Sequence, residues 1–293
     1  MSHFSIAGLQ LDLPSGNNLE VIANEIKNIK QRFPWLNMVV LSELCTYGPE
    51  KKYADVLPNE TEQRYCQIAK DNDLWLIPGS LYEQVDADVF NTTTVINNSG
   101  DIVARYRKIY PFYPYESGVS CGQDFVVFDV PQGRIGVAIC YDLWFPEVAR
   151  QLTSMGAEVL IYPTLTGTID RPIELAMAQA TAAINQSYVL TINTAGELGN
   201  GQSIVVGPDG NVIYQAGVGV EKIPIEVDFN LVRRNRERGL HGLGQPLKSF
   251  AENKIKFSVY EDKSLLNKTL LEFGPLAIPD MNTVKKKTNL DPY

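Results

Sequence analysis

The chain has 293 residues, 44% hydrophobic and 20% charged, which suits a globular protein with a large buried core and excludes disorder over most of its length. Its 26 basic and 34 acidic residues give a net charge of −8, and no basic run is longer than Lys285-Lys286-Lys287. A nucleic acid or an anionic membrane is therefore not expected as a partner, and a small neutral or cationic molecule fits better.

In chain order, Phe4 to Leu11 alternates as a half-buried strand, and Asn17-Asn18 are placed to cap a helix with Leu19, Ile22, Ile26, Ile29 and Phe33 on one face. Asn37 to Glu43 is a short apolar strand ending in a carboxylate, followed by Cys45, Tyr47, Gly48 and Pro49 in a loop. A helix over about Glu60 to Asp71 leads to a buried strand over Leu74 to Leu81, broken by Pro78-Gly79. Asn91 to Ile96 and Ile102 to Tyr106 form a hairpin whose second strand runs out into Arg107-Lys108. Ile109 to Gln123, with Tyr113 and Glu116 among its prolines and glycines, reads as a loop able to cover a pocket. Phe125 to Val130 and Arg134 to Cys140 make a second hairpin; Val159 to Tyr162, Tyr188 to Asn193, Ser203 to Val206 and Val212 to Gln215 are strands, and a long helix covers about Arg171 to Asn185.

The chemistry concentrates where an apolar run ends in Cys140. Directly after it, Asp142 and Phe145-Pro146-Glu147 supply a cap-like residue, a first-turn proline and an acid for a helix N-terminus. A strand-to-helix junction gathers unpaired backbone N–H groups, which favour a thiolate and can hold a developing oxyanion. Cys45, Cys66 and Cys121 form no C-x-x-C pair with it, and the two histidines, His3 and His241, complete no zinc set. Reduced thiols and no cofactor are expected. With no apolar run long enough for a bilayer and no secretory signal, a cytoplasmic protein is the expectation. Neither histidine is well placed as the base for a cysteine, so a carboxylate has to be sought.

Three strand-end segments resemble the motifs of the carbon–nitrogen hydrolase family, or nitrilase superfamily. Ser42-Glu43-Leu44 is similar to its glutamate motif, Tyr106-Arg107-Lys108 to its lysine motif, and Gly136 to Glu147 to its cysteine motif. Lys108 follows Glu43 by 65 positions and Cys140 follows Lys108 by 32, as in the amidase branches, and Glu116 resembles their second glutamate. Gly201-Gln202-Ser203 and Pro208-Asp209-Gly210 extend the likeness over most of residues 4 to 230. The resemblance implies a four-layer α-β-β-α sandwich, paired into homodimers or larger assemblies, and a Glu43, Lys108, Cys140 triad assisted by Glu116. In that scheme Glu43 takes the thiol proton, Lys108 and the amide of Tyr141 stabilise the oxyanion, and a Cys140 thioester is hydrolysed by activated water.

Tyr141-Asp142 after the cysteine is similar to the amidase-like branches, where typical nitrilases carry Trp-Glu. Hydrolysis of a small linear amide is therefore expected, with N-carbamoyl or nitrile hydrolysis, acyl transfer from the same thioester, or a silent scaffold as alternatives. Thr181 and Ile184 replace an arginine and a glutamate that many relatives carry in the long helix, which bears on packing and oligomer contacts. Tyr47, Tyr113, Tyr141, Trp144 and Thr164 are the candidate pocket residues, being aromatic or polar loop residues near strand ends. No composition break divides the chain before about residue 260, so residues 1–260 are expected to form one hydrolase domain and 261–293 an extension, polar and lysine-rich from Asp280, that packs on a partner subunit or stays disordered.

Overall fold

The structure is a computed structural model that describes residues 2–261, 272–274 and 276. Most of the 261–293 extension lies outside the described residues. Two β-sheets face each other. The first holds β1 (His3–Gln10), β2 (Met38–Leu41), β3 (Trp75–Ile77), β4 (Leu81–Val85), β5 (Asp88–Ile96) and β6 (Ile102–Arg107). The second holds β7 (Val126–Val130), β8 (Gly133–Val137), β9 (Val159–Pro163), β10 (Tyr188–Ile192), β11 (Ile204–Val206) and β12 (Val212–Gln215), and β13 (Glu221–Asp228) returns to the first sheet along β1.

The period-2 alternation decides the layers. In β1, Phe4 and Ile6 point between the sheets, while Ala7 and Leu9 point outward under helices; in β2, Met38 and Val40 divide from Val39 and Leu41 in the same way. The outer face of the first sheet is covered by α1 (Leu19–Arg32) and α2 (Glu60–Asp71), through Ile22, Ile26 and Ile29 of the former and Tyr65 and Ile68 of the latter. Each fully buried isoleucine contributes about 2 kcal/mol of apolar burial. A short α3 (Tyr113–Glu116) follows β6, and α4 (Pro146–Ser154) and α5 (Arg171–Asn185) cover the second sheet with Val148, Leu152, Ala178 and Ala182. The result is the α-β-β-α sandwich. Gly8 lets β1 pack close against β10, since a Cβ there would lie 2.3 Å from Ile192 Cδ1.

Several local expectations need correcting. The strand expected over Leu74 to Leu81 is two: Pro78-Gly79 ends β3, and β4 begins at Leu81 and pairs antiparallel with β5. Asn18 donates its side-chain amide to Pro14 O and Cys45 O, and Asn17 Oδ1 takes the capping role by accepting from Leu19 N at 3.0 Å. The loop from Ile109 to Gln123 contains the single turn of α3. Strand β8 stops at Val137, so Cys140 opens a 3₁₀ turn, Cys140–Trp144, with the strand already ended. β13 and α6 (Phe229–Arg238) had no sequence expectation.

Candidate active site

Glu43, Lys108, Glu116 and Cys140 converge on the floor of a cavity of about 350 Å³ between the two sheets' strand ends. Each arrives by a different route. Glu43 lies just beyond β2, and its backbone N–H donates to Thr164 O across the sandwich at 3.2 Å. Its turn needs Gly79, whose φ is +77° and whose Cβ would fall 1.9 Å from Ser42 O. Lys108 directly follows β6, and its backbone N–H donates to Asn91 O on β5 at 2.8 Å. Glu116 closes α3 and reaches back to accept from Phe112 N at 2.6 Å.

The Lys108 ammonium donates to Glu43 Oε1 and Glu116 Oε2, both at 2.7 Å. Asn91, absent from the sequence reading, joins the same carboxylates from the other side, donating Nδ2 to Glu43 Oε1 at 2.8 Å and Glu116 Oε1 at 2.7 Å. All are deeply buried, with Lys108 1% exposed. Burial pushes the Glu43 carboxyl up; Lys108 pulls it down, Glu116 pushes it up again, and the net shift is upward from 4.5. For Lys108 burial acts downward and is outweighed by the two carboxylates, so its pKa rises and it stays charged. Burial and the Glu43 charge raise the Cys140 thiol, with Lys108 opposing them. Cys140 therefore rests as a neutral thiol, with no preformed thiolate.

Cys140 has φ +46°, a left-handed conformation that costs a non-glycine residue about 1 kcal/mol or more and turns the side chain into the cavity. Asp142 holds that turn. Fully buried, it accepts from Ile139 N at 2.9 Å, Tyr106 OH at 2.7 Å and Tyr110 N at 2.9 Å, so it ties the cysteine turn to the strand that carries Lys108. Burial raises its pKa to about 6, with Tyr106 and the backbone donors opposing the rise. Asp142→Asn keeps the shape but turns an amide N–H toward one of these donors. We expect it to lower stability at pH 8 by about 2 kcal/mol and to cut turnover, measured by denaturant unfolding beside kinetics. Unchanged values would mean that the carboxylate does not hold the turn.

Of the five candidate pocket residues, only Tyr141 lines the cavity. Tyr47 points elsewhere, its hydroxyl 2.6 Å from Thr61 Oγ1 and its ring stacked on Tyr53. Tyr113 sits half-buried in α3 outside the cavity wall. Thr164 is buried behind Glu43, with its hydroxyl donating to Tyr162 O. Trp144 stands behind the wall, its indole N–H 3.4 Å from Glu174 Oε1. Strand-end position put these residues near the site without saying which way they face. The cavity is lined in addition by Thr166, Asp170, Glu174 and Glu197, none of which the sequence reading singled out. Thr166 Oγ1 lies 3.9 Å from Cys140 Sγ and donates to Glu174 Oε1 at 3.1 Å. Cys45, left out of the site, is a packing thiol: burial pushes its pKa to about 12, and it donates to Pro78 O.

The carbon-nitrogen hydrolase family model matches residues 9–237 of this sequence. The chain belongs to the carbon–nitrogen hydrolase family. Omega-amidase NIT2 of Xenopus tropicalis is 31% identical to it over 207 residues, covering 66% of this chain and 74% of that protein. Omega-amidase NIT2 of Homo sapiens is also 31% identical over 207 residues, with the same shares of 66% and 74%. Among solved structures, Nit3 of Saccharomyces cerevisiae, a member of branch 10 of the nitrilase superfamily, matches with a TM-score of 0.75 and 28% identity, over 80% of this chain and 94% of that one. This carbon–nitrogen hydrolase is thus an amide-hydrolysing enzyme, in the amidase-like branch that Tyr141-Asp142 suggested. Among its described residues no cluster of three or more His, Cys, Asp or Glu side chains is placed to hold a metal ion, and no helix is long and apolar enough to cross a membrane.

Proposed function

We propose that this enzyme hydrolyses a small linear amide through a thioester on Cys140, with Glu43 as base, Lys108 as electrostatic partner and Glu116 as the group that orients substrate and water. The observation that carries the reading is the convergence of these four side chains on one buried cavity floor. Glu43 accepts the thiol proton as sulfur attacks the carbonyl carbon, because a buried neutral thiol needs a base at the moment of attack. Lys108 uses two of its three N–H bonds on the carboxylates, which leaves the third for the oxyanion, together with the Tyr141 amide at the start of the 3₁₀ turn. Collapse breaks the C–N bond, and Glu43 passes its proton to the leaving nitrogen. Water then gives a proton to Glu43, adds to the thioester carbon and expels the Cys140 sulfur, which is reprotonated as the acid leaves. The relatives named omega-amidases support the substrate class at the level of an amide.

We further propose that the enzyme forms a homodimer or larger homo-oligomer, as the family resemblance implies, which light scattering checks. Four free cysteines fit a reducing compartment such as the cytoplasm.

The division of labour between the carboxylates is tested by two neutral replacements. Glu43→Gln is expected to slow both amide turnover and alkylation of Cys140 by a small neutral reagent, read by mass spectrometry because Cys121 is exposed and would be alkylated too. Glu116→Gln should cut turnover and leave alkylation nearly unchanged. Since burial raises the Glu43 pKa above 4.5 and the base works ionised, activity should fall with falling pH along a limb whose midpoint is above 4.5. Equal suppression of alkylation by both variants, or a limb centred below 4.5, would overturn these roles.

A further inference from the structure

Five carboxylates line the cavity beside one ammonium. Lys108 is that ammonium, and two of its three N–H bonds go to Glu43 and Glu116 at 2.7 Å each, the third serving the oxyanion. Among the described residues no other lysine, arginine or histidine lines the cavity. The other three carboxylates of the lining are Asp170, Glu174 and Glu197. Glu174 is 5% exposed and pairs with the fully buried Arg171, whose Nη1 donates to Oε2 at 2.8 Å. Arg171 is not part of the wall; its other amino group turns to Thr191 Oγ1 and Gln202 O. It therefore compensates Glu174 from behind and offers a ligand nothing. Asp170 and Glu197, nearer the mouth, make no ion pair among the described residues. A concave wall of one sign with protein behind it focuses the field on whatever enters.

We propose that the part of the substrate not cut carries a positive charge: the enzyme takes an amide or carbamoyl compound bearing an ammonium or guanidinium group, with Asp170 and Glu197 as the residues that select it. This rests on amide hydrolysis at Cys140. A carboxylate beside Asp170 and Glu197 would meet like charge, so the wall selects by repulsion as well as attraction. The net charge of the chain permits such a substrate, and the wall specifies where its cation goes.

The test uses three amides of matched length: 5-aminopentanamide, hexanamide and the monoamide of glutaric acid, which end in an ammonium, a methyl and a carboxylate. At low salt kcat/KM is expected to fall in that order by at least about tenfold per step, carried mainly in KM, and the spread should narrow as salt rises. Asp170→Asn and Glu197→Gln should lower the ratio of ammonium to methyl substrate, and Glu197→Lys should raise the carboxylate substrate relative to the methyl one. Steric lining alone would move none of these ratios with salt. Hexanamide turned over with no preference for the ammonium, or a carboxylate substrate that equals it, overturns the charge selection and leaves the amidase reading standing. No ammonia from any of the three amides would overturn both.

Discussion

Cys140→Ala is expected to abolish amide turnover, by at least about 10⁴-fold, while the protein remains folded. The first half follows from the chemistry: among the cavity-lining residues Cys140 is the only thiol, and without it no thioester forms. The second half follows from size and backbone. A methyl in place of a thiol leaves a small void on the cavity floor, and alanine bears the φ of +46° no worse than cysteine does. Cys140→Ser should be nearly as inactive, since a hydroxyl is far harder to ionise beside the same Glu43. Both variants should keep the wild-type melting temperature to within a few degrees. Wild type quenched during turnover should carry an acyl adduct on Cys140 by mass spectrometry. Substantial activity in pure Cys140→Ala, or an adduct on Cys45 or Cys121, would overturn the nucleophile.

The residues legible in the sequence were those that end an element. Glu43, Lys108 and Cys140 each stand where an apolar run stops, and a charge or thiol there has no role in the strand's own packing. Their spacing matched a family pattern, and the structure brings them together with Glu116. Asn91 was not legible, because a polar residue within a threonine-rich strand looks like any other solvent-facing position. Only the closure of β4 and β6 on either side of β5 shows it buried between two carboxylates. Glu174 and Arg171 share the first turn of a helix three positions apart, which in sequence reads as a surface ion pair. Burial of Arg171 against Thr191 of β10 and Gln202 O leaves Glu174 in the cavity wall with its partner behind it. The strand β13 did carry a signal in the alternation Ile223, Ile225, Val227, which Pro224 obscures. Proline is tolerated there because β13 is an edge strand, paired only with β1.

Lys108→Met should unfold the site as well as silence it. Methionine fills much of the same volume, so the loss is electrostatic: Glu43 and Glu116 remain buried, joined through Asn91, with no cation between them. Removing one partner of a buried ion pair typically costs about 3–5 kcal/mol, because the remaining charge is left uncompensated. The variant can reduce that cost by taking up a proton. Burial and the neighbouring Glu116 charge already push the Glu43 carboxyl up, and removing Lys108 takes away the main charge that opposes them. Groups with raised folded pKa contribute stability that is present below the unfolded pKa and lost as pH rises through the folded one. Lys108→Met is therefore expected to be most stable near pH 5 and to lose several degrees of melting temperature toward pH 8, where wild type, with its ammonium in place, changes far less. Adding Glu116→Gln should recover part of the stability at pH 8, because it removes one of the two stranded charges, and should restore no turnover, because the oxyanion still lacks its cation. A Lys108→Met protein whose melting temperature matches wild type at pH 8, and which Glu116→Gln does not improve, would show that the lysine does not hold the carboxylates together.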